Sequence, residues 1–220
     1  MPNWTYNTLK TNNPNIFPSL MDEGGNFDFN KLIPMPESLN IESGSSTDRA
    51  IAFYLTERLT KSASEVGLDK YVSNMFDNNW AETVVERLKN YDMSNEEADK
   101  LYSMGKQYLF NRENYGCYTW YEWCNRNWGT KWGACETCFS ADELCEVSFS
   151  TAWAAPEPIF QKLCEMFPDA EINFHCEYEE GFVIEYENEN GGLIQTNEYE
   201  LNYDDEDEDW DEDEDNIDEE

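Results

Sequence analysis

The sequence predicts an α+β fold: a ferredoxin-like antiparallel sheet with helices on one face, a helical insertion at about residues 45–112, and a disordered acidic C-terminal tail. Three observations carry this. Short alternating runs follow the order strand, strand, helix, strand, strand after an initial strand and helical turn. Residues 45–112 instead repeat apolar positions at helical spacing. Residues 204–220 hold 14 Asp and Glu with one Trp and one Ile, too few apolar groups to offset the entropy of ordering. At 220 residues the chain supports one good core with an insertion, so 1–203 reads as one domain.

Residues 2–10 alternate as a strand, with Trp4, Tyr6 and Thr8 on one side. Two Pro and two Gly in "NNPNIFPSLMDEGGN" leave room for a helical turn only, and "FDFNKLIPMPES" is a short apolar stretch closed by Pro34 and Pro36. "STDRAIAFYLTERLTKS" offers Ser46, Thr47 or Asp48 as N-cap and a face of Ile51, Tyr54, Leu55, Arg58 and Leu59. "LDKYVSNMFD" and "WAETVVERLKNY" read as two further helices. The next opens on a capping box, Ser94 with Glu97 three residues on.

Residues 116–127 suit an aromatic helix, with Tyr118, Tyr121 and Cys124 on one strip and Trp120, Trp123 and Asn127 on the next; Gly129 is its stop. A hairpin follows, whose second arm places Cys145, Val147, Phe149, Thr151 and Trp153 on one side and Glu146, Ser148 and Ser150 on the other. "APEPIFQKLCEMFPD" is a helix with Pro in its first turn, an inner face of Ile159, Leu163 and Met166 or Phe167, and Pro168 beyond its end. Ile172, Phe174 and Cys176, then Phe182, Ile184 and Tyr186, alternate in the last strands, with turns at Glu180-Gly181 and Gly191-Gly192.

"MPNW", "FDFNKLIPMP" (27–36), "YEWCNRNWGTKW" (121–132), "STAWAAPEPIF" (150–160) and "FP" (167–168) resemble, in that order, the YubB ferredoxin-like family of phage- and plasmid-borne proteins. The resemblance covers roughly residues 1–44 and 112–187. It implies a ferredoxin-like fold and a mobile-element origin. It implies no activity and carries no catalytic residues.

Charge bounds the partners. There are 48 acids against 14 bases, net −34, and all 14 Lys and Arg lie at or before Lys162. Residues 163–203 add 11 acids and 204–220 another 14. Such a chain repels nucleic acid and anionic membranes and attracts basic proteins. No run of about 18 apolar residues predicts a membrane span, and the N-terminus lacks the basic and apolar regions of a secretory signal, so a cytoplasmic protein of a bacterial host is expected.

Seven cysteines without a signal argue for free thiols or metal. Cys135-x-x-Cys138 has ligand spacing, and Cys145 extends it to a possible zinc site, but on a regular strand 135 and 138 point to opposite faces. The lone His175 sits in a strand as a solvated residue, with no nucleophile paired to it; no phosphate loop or metalloprotease motif appears. The five tryptophans 120, 123, 128, 132 and 153 read as core between helices and sheet rather than a stacking platform.

The expectation is therefore a non-catalytic accessory protein, without cofactor, that binds a basic or nucleic-acid-binding host protein through an acidic surface, as a nucleic-acid-mimicking inhibitor of a host defence enzyme of the anti-restriction or anti-CRISPR type would. The candidate residues are Glu177, Glu179, Glu180, Glu185, Glu187, Glu189, Asp204, Asp205, Glu206 and Asp207. The alternative is a small zinc-stabilised regulatory or structural domain.

Overall fold

The computed structural model describes residues 3–139 and 145–201. Six strands form one sheet: β1 (Trp4–Thr11), β2 (Cys135–Phe139), β3 (Glu146–Ala152), β4 (Ile172–Tyr178), β5 (Phe182–Glu189) and β6 (Gly192–Glu200). Their spatial order is β2-β3-β1-β4-β5-β6, with every neighbouring pair antiparallel. The first four strands thus stand in the ferredoxin-like order 4-1-3-2, and β5 and β6 extend the sheet beyond β4.

The helices are α1 (Ile16–Ser19), α2 (Ser45–Leu55), α3 (Ala63–Val66), α4 (Trp80–Lys89), α5 (Asn95–Tyr115), α6 (Trp120–Asn127) and α7 (Glu157–Met166). They serve two cores. Residues of α1, α6 and α7, among them Phe17, Trp123, Phe160 and Leu163, pack with Leu9, Phe149, Phe174 and Cys176 on one face of the sheet. Residues of α2 to α5, with Ile51, Leu68, Val84 and Tyr108 at their centre, enclose a second cluster. Asn111 on α5 ties the two regions, its Nδ2 donating to the carbonyl of Ser38, beside Leu39 of the first core, and to that of Tyr118, both at 2.9 Å, while the Tyr108 hydroxyl donates to the Glu42 carbonyl at 2.7 Å.

Alternation in β1 is as expected, but the Trp4–Tyr6–Thr8 side faces outward. Thr5, Asn7, Leu9 and Thr11 are buried, while Tyr6 is 48% exposed. Asn7 Nδ2 donates to the Thr5 carbonyl (3.0 Å), the Phe149 carbonyl (3.3 Å) and Thr151 Oγ1 (2.9 Å), whereas Asn7 Oδ1 and Thr5 Oγ1 are buried with no hydrogen-bond partner among the described residues. Aromatic content therefore points to the wrong face of this strand.

In the helical segment the structure differs from the periodicity at three places. Gly44 precedes α2, so Ser46, Thr47 and Asp48 lie inside its first turn rather than capping it. Arg58 and Leu59 do not extend the helix: Thr56 Oγ1 donates back to the Ala52 carbonyl (2.7 Å) and accepts from Leu59 N (3.2 Å), and Glu57, Arg58 and Leu59 all adopt positive φ (49°, 59° and 67°). "LDKYVSNMFD" is one 3₁₀ turn, Leu68–Lys70, followed by a tight turn in which Asn74 Oδ1 accepts from Phe76 N at 2.9 Å. The Ser94–Glu97 capping box opens α5 as expected.

The aromatic helix starts at Trp120, leaving Tyr118 outside it. The motifs on either side of it converge. Trp128 Nε1 donates to the Ile33 carbonyl (2.9 Å), and Thr130 Oγ1 to the Ala152 carbonyl (2.8 Å). Gly129 has φ +78°, and a Cβ there would lie 2.8 Å from Pro158 Cδ. Trp123 and Trp128 are core residues and Trp120 packs against them. Trp132 instead packs against Trp4, with ring centroids 6.5 Å apart. Trp153 is not core: its φ of +77° breaks the alternation of β3, and the indole is 53% exposed. At the end of α7, Met166 is exposed and Phe167, the residue just beyond the helix, packs against the core.

Candidate functional site

β4 to β6, which hold six Glu and no Lys or Arg, lie together at one end of the sheet. Helices cover the Phe174–Cys176 face of β4, so the intervening residues face outward. The registers Glu177↔Val183, His175↔Glu185 and Asn173↔Glu187 then set Glu177, Glu185 and Glu187 on one face of two adjacent strands. Glu189 continues that row by alternation and is exposed. His175 lies among them, its Nδ1 3.1 Å from Glu185 Oε1, with its side chain 42% exposed.

Glu179 and Glu180 occupy the β4–β5 turn and are drawn toward the N-terminus instead. Glu179 Oε2 accepts from Trp4 N at 2.7 Å, and Glu180 Oε1 from Asn3 Nδ2 at 2.6 Å. Glu180 also lines an open groove of about 840 Å³ at the end of β5 and β6, with Glu198, Tyr199 and Glu200. Glu198 and Glu200 were not among the sequence candidates. Their signal was present in "NEYEL", where two Glu alternate on the last strand before the acidic run. Asp204, Asp205, Glu206 and Asp207, and the expected disordered tail, lie outside the described residues.

β6 is an edge strand, and β5 is its paired neighbour. Its side chains from Gln195 to Glu200 are all exposed. Carboxylates along such an edge discourage pairing with another strand and give the groove a single sign of charge.

The thiols are arranged differently from a regular hairpin. Cys135 pairs with Ser150 and Cys138 with Ser148, with a register shift between them and φ +51° at Glu136. This bulge brings Cys135 and Cys138 to the same, outer side of β2, where a regular strand would separate them. Cys145 lies in the turn just before β3 and is half-buried. Among the described residues no group of three His, Cys, Asp or Glu side chains is placed to hold a metal ion. Burial pushes the Cys135 thiol up. The inner thiols are pushed further by the same cause: Cys164 to about 11 and Cys124 to about 12.

The family described as "Ferredoxin-like domain in Api92-like protein" matches residues 127–220, somewhat under half of the chain. No curated protein matches the chain. Among solved structures, the chain is similar to a protein api92 from Yersinia pseudotuberculosis, at 11% identity and a TM-score of 0.41, over 92% of this chain and 99% of that one.

Proposed function

We propose that this is a non-catalytic accessory protein of a phage or plasmid that binds a basic surface on a host protein, with the β4–β6 end of the sheet as its contact. The observation that carries the reading is the grouping of Glu177, Glu185, Glu187 and Glu189 on one open face, beside a groove lined by Glu180, Glu198 and Glu200. No Lys or Arg lies in these strands to neutralise them. A single-sign surface of this kind speeds encounter with a cationic partner and excludes anionic ones. A protein that normally holds nucleic acid offers such a cationic surface, so occupation by this chain would inhibit it by competition. The mobile-element origin rests on the motif resemblance at 27–36, 121–132 and 150–160.

The test is capture from bacterial lysate on immobilised protein, with the Glu177→Gln, Glu185→Gln, Glu187→Gln triple variant alongside. The expected catch is a nucleic-acid-binding protein that competes with its own DNA or RNA and is lost from the triple variant. A catch that the variant retains in full, or one containing no basic partner, would falsify the proposal.

A further inference from the structure

We propose that a cleft between α2 and α4 binds a planar anion: a flat aromatic ring bearing a carboxylate or a phosphate. The cleft measures about 330 Å³ and is lined by Ser45, Arg49, Trp80, Val84, Arg87 and Tyr91. That volume is at the lower end of the range for small-molecule sites, about 300–1,000 Å³.

Two guanidinium groups meet there. Arg49 Cζ lies 5.1 Å from the centroid of Tyr91, and Arg87 Cζ lies 5.1 Å from that of Trp80. An arginine laid on an aromatic face keeps its N–H edge free for a forked contact with a carboxylate or phosphate. Among the described residues the ion pairs are Lys10–Glu146, Arg58–Asp99, Lys61–Glu57, Lys162–Glu165 and His175–Glu185, and neither Arg49 nor Arg87 takes part. Ten of the 14 bases stand outside these pairs, and what singles out Arg49 and Arg87 is that both line one cleft, each laid on one of its aromatic rings.

The neighbouring acids are engaged elsewhere. Asp48 Oδ2 accepts from Trp80 Nε1 at 2.6 Å, which fixes the indole plane. Glu97 feels the charge of Arg49, yet its carboxylate is held by the backbone and hydroxyl of Ser94 at 2.9 and 2.8 Å. Buried Val84 and half-buried Trp80 supply the apolar surface for the body of a ligand. The arrangement suits a ligand that is flat and apolar at one end and anionic at the other.

The experiment follows the indole N–H resonance of Trp80 in the full chain, assigned with Trp80→Phe, during titration with indole-3-acetate and, separately, with adenosine monophosphate. A saturable shift is expected with at least one probe. Response to indole-3-acetate alone assigns a carboxylate ligand, and response to the nucleotide alone a phosphate one. Arg49→Gln and Arg87→Gln are each expected to weaken binding about tenfold, the loss of one charge-assisted contact. Arg58→Gln, at an arginine that does not line the cleft and is held by Asp99 and Tyr102, is expected to leave binding unchanged. A Trp80 resonance unmoved by both probes up to about 10 mM, beyond the weakest useful affinity, overturns the proposal. So does undiminished binding by both arginine variants whose amide spectra show an intact fold.

Discussion

The Thr130 hydroxyl donates to the Ala152 carbonyl at 2.8 Å, and both residues are buried. This bond joins the loop after α6 to the last residue of β3, next to the point where Trp153 leaves the strand in a left-handed conformation. Thr130→Val keeps the shape and removes the donor, so the carbonyl loses its side-chain partner. The expected loss in chemical denaturation is about 1–3 kcal/mol, with Thr130→Ser restoring most of it.

Gly105 lies on α5 where it crosses α2. A Cβ there would fall 2.1 Å from the Ala50 carbonyl oxygen, which is backbone and cannot turn aside. Gly105→Ala gains helix propensity but forces the two helices apart. The net effect expected is a destabilisation of about 1–3 kcal/mol or more, read as a fall in melting temperature.

Two carboxylates are expected to give stability opposite dependences on pH. Burial raises Asp48 above its ordinary 3.8, against the opposing hydrogen bond from Trp80. Its contribution is fully present below 3.8 and is lost as pH rises through the folded value, because there the folded state binds more protons than the unfolded. Glu97 is lowered from 4.5 by its bonds to Ser94, backbone first. Its contribution is present above 4.5 and is lost as pH falls through the folded value. Denaturation series in acid should therefore show Asp48→Asn removing a falling component and Glu97→Gln a rising one. Exchange of these two signs would disprove the assignment.

Thiol labelling should follow burial. Cys138 is exposed, whereas Cys117, Cys124, Cys164 and Cys176 are buried and their thiols are pushed up. Iodoacetamide at neutral pH is expected to modify Cys138 first, leaving the four buried thiols intact until denaturant is added. Peptide mass spectrometry gives the order, and early loss of Cys176 would contradict the packing.

Much of the sheet was legible because alternation and turn chemistry are local. Ile172, Phe174 and Cys176 point inward as their spacing says, and the Ser94–Glu97 box starts its helix. What was not legible depends on partners far away in sequence. The burial of Asn7 rests on Phe149 and Thr151, so β1 turns its Thr and Asn inward and its aromatics outward. The helix predicted through Leu59 stops at Leu55, since a threonine back-bond and a left-handed turn outweigh the apolar spacing. At the candidate site, Glu177, Glu185 and Glu187 were placed together by simple register. Glu198 and Glu200 required knowing that the sheet ends on β6, and the shared face of Cys135 and Cys138 required a bulge that spacing alone does not announce.

β1 is the first of the six strands to be made, and its two partners emerge only after the helical block. β1 bonds only to β3 and β4, with Trp4 opposite Ala152 and Thr5 opposite Tyr178. During synthesis at about 5–20 residues per second, both of its flanks stay open while α2 to α5, whose contacts are mostly with one another, are already complete. The ribosome thus delivers a finished helical block on a tether whose upstream end is still an unpaired strand. The sheet closes around that strand only after β4 emerges, so chaperones that shield exposed strand edges should meet this chain early and release it late.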